Sequence, residues 1–430
     1  MDLVYDLKEN LLANYDKKND RDGISGERIA ERLSHLSKIG RTSSNGSNRP
    51  GYSQEEKAAK ELIASWMREA GLDVRFDGGG NVIGRLAGKN PESPAIVSGS
   101  HVDSVPNGGH FDGPLGVMLA LEIVDAWQSS GYVPEKPYEV VIFADEEGAC
   151  FNGGLNGSEA FTGDVNMVEK LRLTDSAGRS FEEVLKDVGL TVEGYETTSR
   201  EQEEIEMYVE VHIEQGKRLE KENLPCGIVT GIAGAQWIAF TFTGEASHAG
   251  NTPMTDRRDP MLAVSDFMLA INKLPGKYND SAVVTVGKLN VKPNGVNVIP
   301  SSVELFVDLR DIYQDTRDEI ALQVKEAAKQ AGEKFNIDVV YKELMDTIPV
   351  PIAKDLQGKL AETLEELDVE PYYLPSGAGH DAMILGQKWP VAMLFVQSKA
   401  GISHNPAEWT ELADAVMAAR ALKKFIEKMQ

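Results

Sequence analysis

Cysteine is nearly absent, with Cys150 and Cys226 the only two in 430 residues. Two thiols without a CxxC spacing exclude a disulfide framework and a thiolate metal or redox site, so a reducing cytoplasm is the expected compartment. No uninterrupted apolar stretch approaches the ~20 residues that a bilayer-spanning helix needs. The first residues, among them Asp2, Asp6, Lys8, Glu9 and Asp16, lack the basic start and apolar core of a secretory signal. Positive charge is also in short supply. Against 44 lysines and arginines stand 68 aspartates and glutamates, a formal net charge of −24. Such a surface repels nucleic acid and anionic membrane alike, so neither is expected as a partner. Two catalytic signatures are missing as well, the Gly-x-Ser-x-Gly nucleophile elbow and the Gly-x-x-x-x-Gly-Lys-Ser/Thr phosphate loop.

What remains is an ordinary globular composition, 41% hydrophobic and 26% charged, in a chain long enough for two or three domains. Ser53 followed by Glu56 reads as a capping box opening a helix over Lys57–Ala70, which Gly71 stops. Val82–Leu86, Ala95–Ser98 and Val140–Ala144 read as buried strands, with a helix over Gly116–Ser129. This alternation predicts a mixed, mostly parallel sheet with helices on both faces, whose functional residues gather at strand carboxyl ends. The pattern then changes. Strands at Ile238–Thr243, Ala282–Leu289 and Val303–Leu309 alternate with helical segments at Met261–Leu274 and Thr316–Gly332, the mark of an inserted α+β unit. We assign residues 1–222 and 342–430 to an α/β catalytic domain and 223–341 to the insertion. Gly40–Gly51, rich in Ser, Asn and Gly, reads as a mobile loop.

Six of the seven histidines fall in short segments crowded with Gly, Asp, Glu and Asn, while His35 sits in an amphipathic helix and reads as structural. The segment Ser98–Val117 carries His101, Asp103, His110 and Asp112. His101 and Asp103 lie two apart at a strand end and can share one face, so Asp103 can hold the second ring nitrogen of a metal-bound His101. Asp112, after the Gly108-Gly109 turn, is placed to bridge two cations. Ala144-Asp-Glu-Glu-Gly148 follows a buried strand, and its adjacent carboxylates call for a compensating cation. One glutamate would ligate metal and the other act as general base. His212-Ile-Glu-Gln-Gly216 and Gly401-Ile-Ser-His-Asn-Pro-Ala-Glu408 add His212 and His404. Together the segments supply three histidines, an aspartate and a glutamate, a nitrogen/oxygen set suited to Zn²⁺, Mn²⁺, Co²⁺ or Ni²⁺. Gly377-Ala-Gly-His-Asp-Ala382 matches a dinucleotide fingerprint only formally, though its glycines can offer N–H groups to a substrate.

In order along the chain stand Gly-Ser-His-Val-Asp-Ser-Val, Glu-Glu-Gly, His-Ile-Glu-Gln-Gly, Ser-His-Ala-Gly-Asn-Thr-Pro-Met, Asn-Val-Ile-Pro, Asp-Leu-Arg-Asp and Ser-His-Asn-Pro-Ala-Glu. From about Arg28 onward this set resembles the hydantoinase/carbamoylase branch of the dinuclear-metal M20 amidohydrolases and peptidases. Phe111–Val117, Gly227–Gly234 and Leu374–Gly377 look most like the N-carbamoyl-L-amino-acid hydrolases, with allantoate amidohydrolases as near neighbours.

The resemblance implies two divalent ions per subunit, Zn²⁺ first. Asp112 would bridge them, His101 and His212 would complete one site, and Glu147 and His404 the other. Glu146 would be the general base and Asp103 the partner of His101. The insertion would serve as lid and homodimerisation module, with His248 on the oxyanion and Asn297 and Arg310 on the substrate carboxylate. Gln215, Gly379 and His380 would contact the ureido group. The implied reaction cleaves the ureido C–N bond of an N-carbamoyl-L-amino acid. Alternatives are an allantoate amidohydrolase, an M20-type dipeptidase or aminoacylase, and a non-catalytic metal-binding protein of the same fold. One departure stands out: relatives commonly carry an arginine where this chain has Cys150.

Overall fold

The computed structural model describes residues 6–430; Asp2 and the rest of the first five residues, with which the expected catalytic domain begins, lie outside them. The chain forms two compact units. One comprises the described residues up to Thr230 with Ile352–Leu374 and His380–Gln430, and the other comprises Gly231–Pro351 with Pro375–Gly379.

In the first unit, β1 (Asp73–Phe76), β2 (Val82–Leu86), β3 (Ala95–His101), β4 (Tyr138–Phe143), β5 (Ile205–Ile213), β6 (Cys226–Ile232) and β7 (Val391–Val396) share one sheet. Their order is β1-β2-β4-β3-β5-β7-β6. The central four, β4-β3-β5-β7, are parallel. Antiparallel pairing joins β1 to β2, β2 to β4 and β6 to β7. β3 and β4 are buried along their whole length, as strands covered on both faces must be. Tyr138 donates its hydroxyl to the Ala120 carbonyl of a helix spanning Pro114–Ser130, whereas Phe143 meets Phe161 edge-on at 5.4 Å. They stand five positions apart on one strand, an odd offset, so these contacts lie on opposite faces. Both faces therefore carry helices.

The Pro114–Ser130 helix is apolar nearly all round, and it is buried accordingly. Of its two acids, Glu122 is fully buried and accepts a two-pronged contact from Arg28 at 2.6 and 2.7 Å. Pairing of this kind is what a charge in such a helix requires.

The second unit holds a four-stranded antiparallel sheet ordered Asp338–Asp346, Gly234–Thr243, Ser302–Asp311, Val283–Lys292. Buried and half-buried residues alternate without exception along Ser302–Asp311. One face packs Phe240, Phe242, Val303 and Leu305 against the helices Pro260–Ile271 and Gln314–Phe335. The other face carries Trp237, Phe306, Asp308 and Arg310. A separate two-stranded ribbon pairs Ser247–His248 with Val298–Ile299.

Three local details differ from the sequence expectation. Units change over at 230/231 and 351/352 rather than near 222 and 342. The reason is laddering: Cys226–Ile228 still pairs with β7, and Lys342–Asp346 continues to pair with Gln236–Ala239. Ser53 does cap its helix, accepting Glu56 N–H at 3.1 Å, but Glu56 does not complete the box. Its buried carboxylate instead takes Tyr52 N–H and the Lys60 ammonium. Finally, Gly40–Gly51 is pinned, not free: Arg49 is buried and donates to the carbonyls of Val102 and Ile39, and Ser47 pairs with Gly108.

Candidate active site

The parallel register sets His101, the last residue of β3, beside Phe143, the last of β4. His212 is the penultimate residue of the neighbouring β5. Each side chain thus leaves the sheet at the carboxyl edge, and the acidic loop after β4 rises beside His101. Asp103 ties the two segments together, accepting Glu146 N–H at 3.2 Å and Glu147 N–H at 3.1 Å.

Asp112 stands at the centre. Its Oδ1 lies 3.1 Å from His212 Nε2 and 3.7 Å from His101 Nε2. Its Oδ2 lies 3.4 Å from His404 Nε2, which is itself 3.3 Å from Glu147 Oε2. Two triads result, His101/Asp112/His212 and Asp112/Glu147/His404, each with its donor atoms within 4.8 Å of one another. One oxygen of Asp112 faces each triad, as a carboxylate bridging two cations must. The imidazoles are set for the same purpose. His212 Nδ1 is 3.0 Å from the Ile213 carbonyl, and His101 Nδ1 is 3.2 Å from the Asp103 carbonyl and 3.4 Å from its carboxylate. With Nδ1 as the donor in both, each Nε2 presents a lone pair inward. His101 Nε2 is buried with no hydrogen-bond partner, an orphan acceptor that a cation would satisfy.

Charge in this cluster argues likewise. His404, whose side chain is 50% exposed, has its pKa raised to about 10 by its contacts with Asp112 and Glu147. Asp112 in turn is held well below the ordinary carboxyl range, against its burial, by His212, His404 and His101. Burial lifts Glu146 well above the ordinary carboxyl range; His101 opposes this, and the charges of Asp381 and Glu147 add to it. Its Oε2 lies 3.6 Å from His101 Nε2.

Tight backbone supports the cluster. Gly113 has φ +79°, and a Cβ there would come within 2.4 Å of the His101 ring. Asp145, Gln215 and His404 all adopt left-handed backbone without being glycine, strain of ~1–3 kcal/mol each of the sort that collects at functional sites. Three supporting residues escaped the sequence reading. Glu408 accepts Phe111 N–H at 2.8 Å and Asp112 N–H at 3.1 Å, and Ser403 donates to Asp112 Oδ2 at 2.5 Å. Glu210, buried in β5, accepts from Ser100 and from Ala382 N–H. The acid ending Ser-His-Asn-Pro-Ala-Glu and an inward-facing acid mid-strand were the available signals.

Other expected residues have defined surroundings. Gln215 donates to Asp112 Oδ2 at 2.8 Å. His380 is buried with its ring 4.5 Å from that of His212, and burial holds its pKa well down, so it is neutral. His110 is neutral too, lowered to about 4 chiefly by burial, with Nε2 against the Asn45 carbonyl and no part in either triad. Cys150 packs against the cluster of Tyr52, Phe151, Phe181 and Tyr195. In the second unit, Ala249 N–H donates to the Asn297 carbonyl, so His248 and Asn297 share the ribbon. His248 Nδ1 accepts Gly250 N–H, leaving Nε2 to carry the ring proton. Arg310 grips Asp308 through Nε and Nη2 and donates Nη1 to the Gly377 carbonyl at 2.7 Å. Gly379 is exposed, with open space where a side chain would go.

Residues 97–428 match the Peptidase family M20/M25/M40. The chain is 42% identical over 399 residues to an N-carbamoyl-L-amino acid amidohydrolase of Geobacillus stearothermophilus, covering 93% of this chain and 97% of that one. It is 34% identical to the allantoate amidohydrolase of Escherichia coli (strain K12), covering 93% and 97%. A solved hydantoinase/carbamoylase family amidase from Burkholderia multivorans superposes with a TM-score of 0.88 at 32% identity, covering 94% of this chain and 98% of that one. The chain belongs to the M20/M25/M40 peptidase family.

Proposed function

We propose that this member of the family hydrolyses the ureido C–N bond of N-carbamoyl-L-amino acids, releasing the amino acid, ammonia and carbon dioxide. The observation that carries the chemistry is the pair of triads sharing Asp112, with Glu146 beside them. Identity of 42% over nearly the full length to an N-carbamoyl-L-amino acid amidohydrolase supports the substrate class.

His101, His212 and Asp112 would hold one divalent cation, and Glu147, His404 and Asp112 a second, Zn²⁺ first and Mn²⁺, Co²⁺ or Ni²⁺ as alternatives. Bound there, such ions polarise a carbonyl and bring the pKa of water towards ~7. Glu146 takes the proton of the attacking water and delivers it to the leaving nitrogen, a role its raised basicity suits. Asp103 fixes the His101 tautomer and the backbone of the Glu146–Glu147 turn. His248 donates Nε2–H to the oxygen on which negative charge develops. Arg310 and Asn297 hold the substrate carboxylate, while Gln215, the Gly379 N–H and His380 contact the ureido group. The second unit serves as lid and as homodimer contact.

Product release by metal-loaded protein, followed as ammonia from N-carbamoyl amino acids and allantoate and as free amino acids from dipeptides, tests this reading. Turnover of N-carbamoyl amino acids is expected. Cleavage of dipeptides alone would replace the reading with a peptidase, and no turnover with full metal loading would leave a binding protein. A preference for allantoate is the second reading, favoured by 34% identity to an allantoate amidohydrolase.

A further inference from the structure

We infer that Trp237 is a specificity-determining residue, its indole forming the apolar wall against which the substrate amino acid's side chain lies. The inference rests on Arg310 being the carboxylate anchor.

Register fixes the neighbourhood. In the second unit Trp237 lies directly opposite Asp308, and Ala235 directly opposite Arg310. All four side chains project from the sheet face opposite the helix-packed core, because Val307, Leu309 and Ile238 beside them point into that core. Residues directly opposite stand about 4.5–5.5 Å apart and diagonal ones about 7–8 Å, within reach of aromatic and long side chains. Trp237 is diagonal to Arg310. Ala235, the small residue between them, is itself buried, so Trp237 and Arg310 are the large side chains that this part of the face presents.

Arg310 has N–H groups to spare. Of the five that a guanidinium carries, Asp308 and Gly377 engage one on each of its three nitrogens. Two remain, and Asp308 holds the fork in a fixed orientation. A carboxylate docked on them lies on the face that carries Trp237, one diagonal step away. Trp237 is 42% exposed, an unusual state for the largest apolar side chain. A rigid indole offers contact area at little entropic cost. The matching ligand is an L-amino acid derivative with an aromatic or branched aliphatic side chain. Val283, 48% exposed, flanks Arg310 from the opposite neighbouring strand and serves as the control.

Steady-state kinetics of metal-loaded wild type, Trp237→Ala, Trp237→Phe and Val283→Ala on N-carbamoyl-L-phenylalanine, N-carbamoyl-L-leucine and N-carbamoylglycine test the inference. Trp237→Ala is expected to lower kcat/KM for the phenylalanine and leucine derivatives about 10–100-fold, mainly through KM. N-Carbamoylglycine, which has no side chain to place, should change less than about threefold. Trp237→Phe should recover most of the loss, and Val283→Ala should leave the substrate ratio intact. Turnover by wild type with an equal loss on all three substrates in Trp237→Ala, or with no loss, overturns the inference alone. Failure of wild type on all three overturns the reading of the reaction and this inference with it.

Discussion

Glu408 Oε1 accepts the backbone N–H of Asp112 at 3.1 Å, although 296 residues separate the two. Ser403 closes the link from the side-chain end, donating to Asp112 Oδ2 and standing 3.0 Å from Glu408 Oε2. Gly109 makes the approach possible, since a Cβ there would come within 2.1 Å of the Glu408 carboxyl. Burial and then the Asp112 charge push Glu408 up to about 7, so removing charge from Asp112 relaxes this acid. Glu408→Ala leaves the N–H groups of Phe111 and Asp112 unpaired and Asp112 free to rotate. Affinity for the divalent ions should fall about 10–100-fold, the usual cost of losing a ligand's outer support. Competition against a metal-binding dye measures it, and unchanged affinity would remove Glu408 from this role.

Glu146→Gln separates the base from the ligands. The amide keeps the shape but cannot take a proton, so kcat should fall by at least about 10²–10⁴-fold. Both metal ions should remain, because the two triads do not include residue 146. Metal content and kcat measured on one preparation decide the matter, and retained turnover would falsify the assignment of the base.

Metal uptake should release protons. Without cations His404 has a pKa of about 10, raised by Asp112 and Glu147, so it is protonated at neutral pH. A metal ligand must give that proton up, and apparent affinity at this site therefore rises with pH up to about 10. Calorimetry of Zn²⁺ binding in buffers of differing ionisation enthalpy should show net proton release near pH 7. His404→Ala should remove the share belonging to its own site, His101 and His212 also being raised above the ordinary histidine value, and reduce the stoichiometry from two ions to one. Equal proton release by that variant would show that another group carries the proton.

Much of this site was legible because the relevant chemistry is local in sequence. Strand ends, glycines and short polar segments flag His101, Asp112, the Glu146-Glu147 pair, His212 and His404 without any three-dimensional information, and the family resemblance alone assigns Glu147 to the metal. The strand–helix alternation gave the sheet with helices on both faces, and period-2 alternation gave the antiparallel second sheet. What stayed hidden depends on long-range contacts. Glu408 reads as one more acid in an acidic chain until the fold brings it behind Asp112. Glu56 fits a capping box by spacing, yet tertiary burial beside Lys60 and Tyr52 claims its carboxylate. Gly40–Gly51 has the composition of a mobile loop, and only the buried Arg49 guanidinium reveals that it is anchored. The hydrogen bond from the Gln215 amide to Asp112 likewise joins residues 103 positions apart.

Asp414 offers a test of stability away from the site. It lies in the first turn of the helix Leu412–Met429, and its carboxyl is raised to about 7 by burial and then by the Glu411 charge. A carboxyl whose folded pKa exceeds its unfolded value binds its proton more tightly in the native state. Its contribution to stability is therefore complete below about pH 4 and is lost as pH rises through about 7. A shift of about three units corresponds to at most about 4 kcal/mol, reduced to the extent that water reaches the partly buried group. Asp414→Asn removes the titration while keeping the shape. Urea unfolding at pH 5 and pH 8 should show wild type losing stability between the two and the variant losing less. The comparison rests on the slope with pH, because the new amide carries its own desolvation cost at both values. Equal slopes would mean that Asp414 ionises in the native state without penalty, with solvent reaching the helix start more freely than its packing implies.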